Sequence, residues 1–255
     1  MTDSSRDTTA LLGEALGAAD PSVRLRAALH AGTRPDPGLI DPLIARCAVE
    51  PDFYVRDMLT WALTRQPPER TVPLLVSVLN DDAAPPQAHA QALHTLSKIG
   101  DRSAWNVIGP RFLNSPDDDI ARAAWRAAVA LVPDGQAPAL AGTLAARFGA
   151  GGFERRRSLS RALAALGAPG AAAAEAATHS PDPRVVAHAE ATLRLVADPD
   201  AAFDDHVAAA WRLLAPGAGV DVAEDAVVES DAEHPDDAAE HPDDAAGRSD
   251  GAESR

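Results

Sequence analysis

Two pairs of arginines, Arg122 with Arg126 and Arg157 with Arg161, stand four residues apart in segments whose apolar residues recur at helical spacing. Four residues is about one helical turn, so each pair projects from one face of its helix. A guanidinium pairs with carboxylate or phosphate oxygens through a planar fork, and it stacks on aromatic rings. Trp61 and His94 fall at the phase of Arg126 and Arg161 in two earlier segments. Asp57 stands one turn ahead of Trp61, and the same segment holds Tyr54, the only tyrosine, and Met58, the only internal methionine. Tyr54, Asp57, Met58, Trp61, His94, Arg122, Arg126, Arg157 and Arg161 therefore form a candidate surface for an anionic partner. Aromatic and methionine side chains off the core stripe suit such a recognition surface. The same side chains also suit packing: Phe53, Tyr54, Met58 and Trp61 against neighbouring helices, with Trp61 capping the edge of the core. The residues alone leave both readings open.

No other grouping points to bond-making chemistry. There is no Gly-rich phosphate loop, no Gly-x-Ser-x-Gly and no His-Glu-x-x-His. His30, His89, His94, His179, His188 and His206 are scattered, without a His-Glu pairing of the kind that holds two irons between helices. His234 and His241 sit among aspartates in a duplicated heptad, 232–238 followed by 239–245, which sequence slippage explains more simply than metal binding. The single cysteine, Cys47, excludes an intramolecular disulfide and lies in step with Leu39, Ile40, Leu43 and Ile44 on an apolar face. We therefore assign no catalytic residue, metal ligand or cofactor and expect the chain not to be an enzyme.

The elements that must position the candidate surface follow from a recurring phrase. It starts at Val23, Val55, Ala88, Ile120, Arg155 and Val185, at separations of 32, 33, 32, 35 and 30 residues. Apolar or small residues hold its first, fifth, eighth, ninth and twelfth positions, His30, Arg34, Gln66 and Arg155 excepted. That spacing is one helix face. Prolines stand at or before five of the six starts, with Asp20, Asp52, Ser115, Asp117 and Ser180 as cap candidates. The fifth start has Gly149-Ala150-Gly151-Gly152 instead, and a looser junction is expected there. Second amphipathic stretches lie at roughly 8–19, 38–49, 70–80, 103–113, 136–148 and 170–179, and a last one at 200–214. A unit of two helices repeating at this period cannot bury its apolar face alone and must stack. Core positions being assigned, positions two, three, six, seven and ten are predicted on or near the exposed side.

The phrase resembles HEAT-like repeats of the short phycobilin-lyase type, within the armadillo-type class. Asp20-Pro21-Ser22-Val23-Arg24, Val55-Arg56 and Leu96-Ser97-Lys98-Ile99-Gly100-Asp101 carry the resemblance, which spans about 8–214. It implies an all-α, right-handed α-solenoid of about six helix pairs plus a C-terminal capping helix, with the second helices lining a concave surface. It also implies that Arg24 and Arg56 belong to a structural ladder pairing with a neighbouring repeat's carboxylate. Similar modules occur fused to MerR-type transcription regulators. Another resemblance, to HEAT-like alkylpurine DNA glycosylases that set an aspartate and tryptophans near a lesion on a basic concave face, supplies the alternative function: Asp57 and Trp61 share a helix face, and Trp125 and Arg126 lie two repeats on.

Charge bears on that choice. The net charge is −15, of which −11 lies in 221–255 and −4 in the rest. The body thus lacks the basicity that phosphate binding favours, and direct nucleic-acid binding is not expected. The tail, low in hydrophobicity and rich in charge and proline, is expected to be disordered from 215 to 255. An acidic tail could also compete with a partner for the arginines. Residues 1–7 are polar and expected to be flexible, with no signal peptide; no apolar run is long enough to span a membrane. The expectation is a cytoplasmic, non-enzymatic scaffold or regulatory module that holds a protein partner, such as an acidic segment or a transcription regulator.

Overall fold

Aspartates start four of the six second helices. In the computed structural model, which describes residues 2–199 and side chains from Thr8 onward, Asp20, Asp52, Asp117 and Asp182 each accept a backbone N–H of the first turn at 2.8–3.0 Å. Those donors have no partner within a helix, so the carboxylates fix where each one begins. Ser115 and Ser180 act one step earlier than predicted: each hydroxyl accepts the N–H of the capping aspartate at 3.2 Å.

Six helix pairs follow in order. α1 (Thr2–Leu16) pairs with α2 (Pro21–Thr33). A 3-10 turn, Pro37–Leu39, leads into α3 (Ile40–Cys47), which pairs with α4 (Phe53–Thr64). α5 (Pro68–Asn80) pairs with α6 (Pro86–Ile99). A 3-10 segment, Arg102–Val107, and the short α7 (Pro110–Leu113) stand before α8 (Asp118–Leu131). α9 (Ala137–Ala145) and α10 (Phe153–Ala165), then α11 (Ala168–Ala177) and α12 (Pro183–Ala197), complete the array. There is no strand among the described residues. The second helices pack in succession, α2 on α4, α4 on α6, α6 on α8, α8 on α10 and α10 on α12. The result is an all-α solenoid.

Boundaries differ from the sequence expectation in two places. Helical backbone begins at Thr2, ahead of the 8–19 stretch, so most of the segment expected to be flexible is helix. The 103–113 stretch is not one helix. Gly109 is extended (φ −95°, ψ −179°) because the residue ahead of Pro110 is pushed out of the helical region. Ala104, Ile108, Phe112 and Leu113 are buried all the same, so the broken segment still fills a first helix's place. The predicted closing helix 200–214 and the tail 215–255 lie outside the described residues.

The core stripe is where the spacing puts it: positions five and nine are buried or half-buried in all six copies, from Ala27 and Ala31 to Ala189 and Leu193. Position six departs from its exposed assignment. Ala28, Thr60, Leu93, Trp125 and Ser160 are all buried. A helix in a stacked layer has neighbours before and after it as well as beneath it, so position six is covered by the adjoining second helix.

Two of the polar exceptions in the stripe, Gln66 and Arg155, join successive repeats. Gln66 is buried and its Nε2 donates to Ala31 O at 3.1 Å. Arg155, also buried, donates to Asp118 Oδ1 at 2.5 Å and Ser115 O at 2.6 Å, with its guanidinium 5.4 Å from the Trp125 ring centre. The fifth junction is looser in packing, as expected: α10 meets its partner α9 less extensively than the other paired helices meet, and Gly152 offers it no side-chain cap, but its turn is tied to the sixth repeat. Gly149 (φ +77°) donates its N–H to His188 Nδ1 at 3.1 Å, while its Cα side lies against the Arg184–Val185 backbone. Only a residue without a Cβ takes that left-handed conformation so close to another chain segment.

Apolar burial divides into two clusters. One runs from Leu16 to Leu63 in the first two pairs. The other runs from Val72 to Ala189 in the remaining four, and Ile44 packs against both. A cavity of about 280 Å³ lies at their seam, between Cys47, Leu63, Leu75, Ala84 and Ala92. α4 meets α6 over less surface than α2 meets α4 or α6 meets α8.

Candidate functional site

Position seven of the second helices forms one column across the stacked layer. Leu29 on α2, Trp61 on α4, Arg126 on α8 and Arg161 on α10 are exposed, and His94 on α6 is half-buried. At the far end Ala191 is buried. The column exists because positions five, six, eight and nine around it are committed to the core or to neighbouring helices.

Trp61 reconciles the two readings left open by the residues. Its six-membered ring lies on Gly32 of α2; a Cβ there would stand 2.1 Å from Cζ3. Glycine is needed at Gly32 so that α2 and α4 can approach with the indole between them. Yet Trp61 remains 36% exposed, so part of the ring faces solvent. Tyr54, one face-repeat earlier on α4, is 72% exposed and meets Phe53 edge-on at 5.7 Å. Met58 goes the other way: it is half-buried and packs against the first core cluster. Asp57 is half-buried.

The arginines divide similarly. Arg122 donates to Asp119 Oδ1 at 2.6 Å, and Arg157 lies 3.9 Å from Glu154 Oε1, each carboxylate three residues upstream on its own helix. Such exposed pairs contribute about 0–1 kcal/mol and exchange readily for another carboxylate. Arg126 and Arg161 stand exposed at the outer edge of the face. Of the nine predicted residues, the fold thus brings Trp61, Arg126 and Arg161 into one exposed column, with Tyr54 at its aromatic end and Arg122 and Arg157 beside its basic end. Sequence reasoning left Leu29 out of the candidate surface, although that leucine shares the phase of Trp61.

Arg24 and Arg56 are structural. Arg24 is buried; its Nε and Nη2 each donate to Glu50 at 2.7 Å, and its Nη1 donates to Ala18 O and Ala19 O. Arg56 Nη1 donates to Glu50 O and Pro51 O at 2.9 Å, and Arg156 Nη1 to Gly151 O at 2.6 Å. Position-two arginine therefore closes the turn leading into its own helix. Arg24 also crosses to the next repeat, through Glu50, which takes a further donation from Arg46 Nε at 2.7 Å.

A second polar network escaped sequence reasoning. His188 is buried, and its Nε2 lies 3.0 Å from Ser160 Oγ and 3.0 Å from Arg156 O. Because Gly149 N–H donates to Nδ1, the neutral ring carries its proton on Nε2. That tautomer cannot take a proton from Ser160, and neither group is exposed, so the pair holds repeats five and six together. Burial drives His188 down to about 4 and keeps it neutral. Burial pushes the Cys47 thiol up to about 12, which makes it an inert hydrophobe.

The stacked helix pairs place this chain among α-solenoids. Within it, residues 40–130 match the family model of HEAT repeats, and the same helix pair continues on both sides of that stretch. No curated protein matches the chain. Among solved structures, human deoxyhypusine hydroxylase in complex with glycerol is similar at 18% identity. The match covers 83% of this chain and 91% of that one, with a TM-score of 0.40. The expectation that the chain is not an enzyme is corrected here: the similar structure is that of an enzyme, so the expectation stands without support. At this level of likeness nothing of the hydroxylase's activity carries over. No helix among the described residues is long and apolar enough to cross a membrane. Trp125, one of the residues that carry the glycosylase resemblance, is 1% exposed with its indole N–H on Leu113 O at 3.0 Å, so it has no face to offer a base.

Proposed function

We propose that this repeat scaffold binds a protein partner along the position-seven column of its second helices, and that the partner contributes carboxylates. The carrying observation is that column itself: Leu29, Trp61, Arg126 and Arg161 stay exposed across helices whose other faces are buried. Apolar and aromatic groups at one end supply desolvation energy, and guanidinium groups at the other supply charge-assisted hydrogen bonds. Capture from a lysate by the full chain, compared with Trp61→Ala and with the double change Arg126→Glu, Arg161→Glu, tests the reading. A partner retained by wild type and released by both variants, with helical signal intact, supports it. A partner retained equally by all three refutes it.

A further inference from the structure

The two ends of the column differ in chemistry, and the solenoid sets the distance between them. Resting on the function proposed above, we infer that the ligand is an extended peptide segment with an apolar anchor at one end and two carboxylates farther along, in a fixed register. The anchor seats where Leu29 and Trp61 meet, beside the exposed Tyr54. The carboxylates meet Arg126 and Arg161.

Register follows from geometry. Adjacent packed helices lie about 8–10 Å apart, so Arg126, two second helices beyond Trp61, is about 16–20 Å away, and Arg161, three beyond, about 24–30 Å. An extended chain advances about 3.3 Å per residue, which puts the carboxylates about five to six and about seven to nine residues from the anchor. Side chains of an extended segment alternate sides, so residues facing the column share parity with the anchor. Spacings of about six and about eight residues satisfy both conditions. Arg122 and Arg157, beside the basic end, exchange their own exposed carboxylate partners for the ligand's.

Panning a displayed library on the full chain tests this. Each peptide carries one Leu, Phe or Trp and two Glu at every spacing and in both chain directions, in an otherwise Ser/Thr background. Wild type should enrich the register of about six and about eight residues roughly tenfold over spacings of about two and about four, as one extra charge-assisted contact would give. Arg126→Ala with Arg161→Ala should erase that preference, and Trp61→Ala should lower recovery of every register alike. Enrichment that depends on Trp61 but is indifferent to spacing overturns the register and leaves the binding face in place. Enrichment unaffected by any of these substitutions, or none at all, overturns both.

Discussion

Replacing Glu50 by glutamine perturbs the most enclosed charge in the described structure. Its side chain is 0% exposed and accepts from Arg24 Nε and Nη2 and Arg46 Nε, all at 2.7 Å, and from Asp52 N–H at 3.0 Å. Burial alone would raise its pKa. The hydrogen bonds from Arg24, then from Arg46 and the Asp52 backbone, outweigh burial and bring it to about 2. Against an unfolded glutamate near 4.3, two pKa units correspond to about 3 kcal/mol of stability. Because the folded value lies below the unfolded one, this contribution is complete above about pH 4.3 and fades as pH falls toward 2. Glutamine offers one acceptor where Glu50 has two, turns a donor toward a guanidinium, and leaves two arginines without their counter-charge. Breaking a buried pair from one side costs about 3–5 kcal/mol. Urea unfolding followed by circular dichroism at neutral pH should show a loss of that size. The double change Arg24→Met, Glu50→Leu, which replaces the two most buried members by apolar groups and leaves the partly exposed Arg46 to water, should lose less than Glu50→Gln alone. A cost below about 0.5 kcal/mol for Glu50→Gln, the level of an ordinary surface change, would refute the assignment of the pair as the tie between repeats one and two.

Three further outcomes are expected. His188, held near 4 by burial against an unfolded value near 6.5, binds its proton more tightly when unfolded, so stability should fall by about 3 kcal/mol as pH drops from about 6.5 to 4. His188→Gln should flatten that slope in urea titrations at stepped pH, and an unchanged slope would assign the acid sensitivity elsewhere. Gly32→Ala drives a methyl into the Trp61 ring and should cost about 1–3 kcal/mol in the wild type but little in a Trp61→Ala background; an equal cost in both backgrounds counts against the contact. Cys47 should resist aromatic disulfide reagents at pH 8 until denaturant is added, and rapid labelling of the native chain would show that the seam between repeats two and three opens.

Much of this protein was settled by its sequence. The 32-residue period, the proline and aspartate before the second helices and the apolar stripe at positions five and nine specify helix pairs that must stack, because each is a property of one helix and its own turn. Where local stereochemistry intervened, as at Gly109-Pro110, the residues held that signal too, although an apolar period runs across it. Tertiary structure decided what lies between helices about 32 residues apart. It buried position six in the first five repeats, turned Arg155 from an exception in the stripe into a link to Asp118 and Trp125, and enclosed Glu50 between Arg24 and Arg46. It also divided the candidate surface, packing Met58 against the core and setting Arg122 and Arg157 beside carboxylates of their own helices, while Trp61, Arg126 and Arg161 stayed exposed. A periodic sequence records which face of each helix turns toward the core. Which side chains of successive repeats then meet depends on the small rotation from one pair to the next, and that rotation is set by packing contacts such as Trp61 on Gly32, which no single repeat contains.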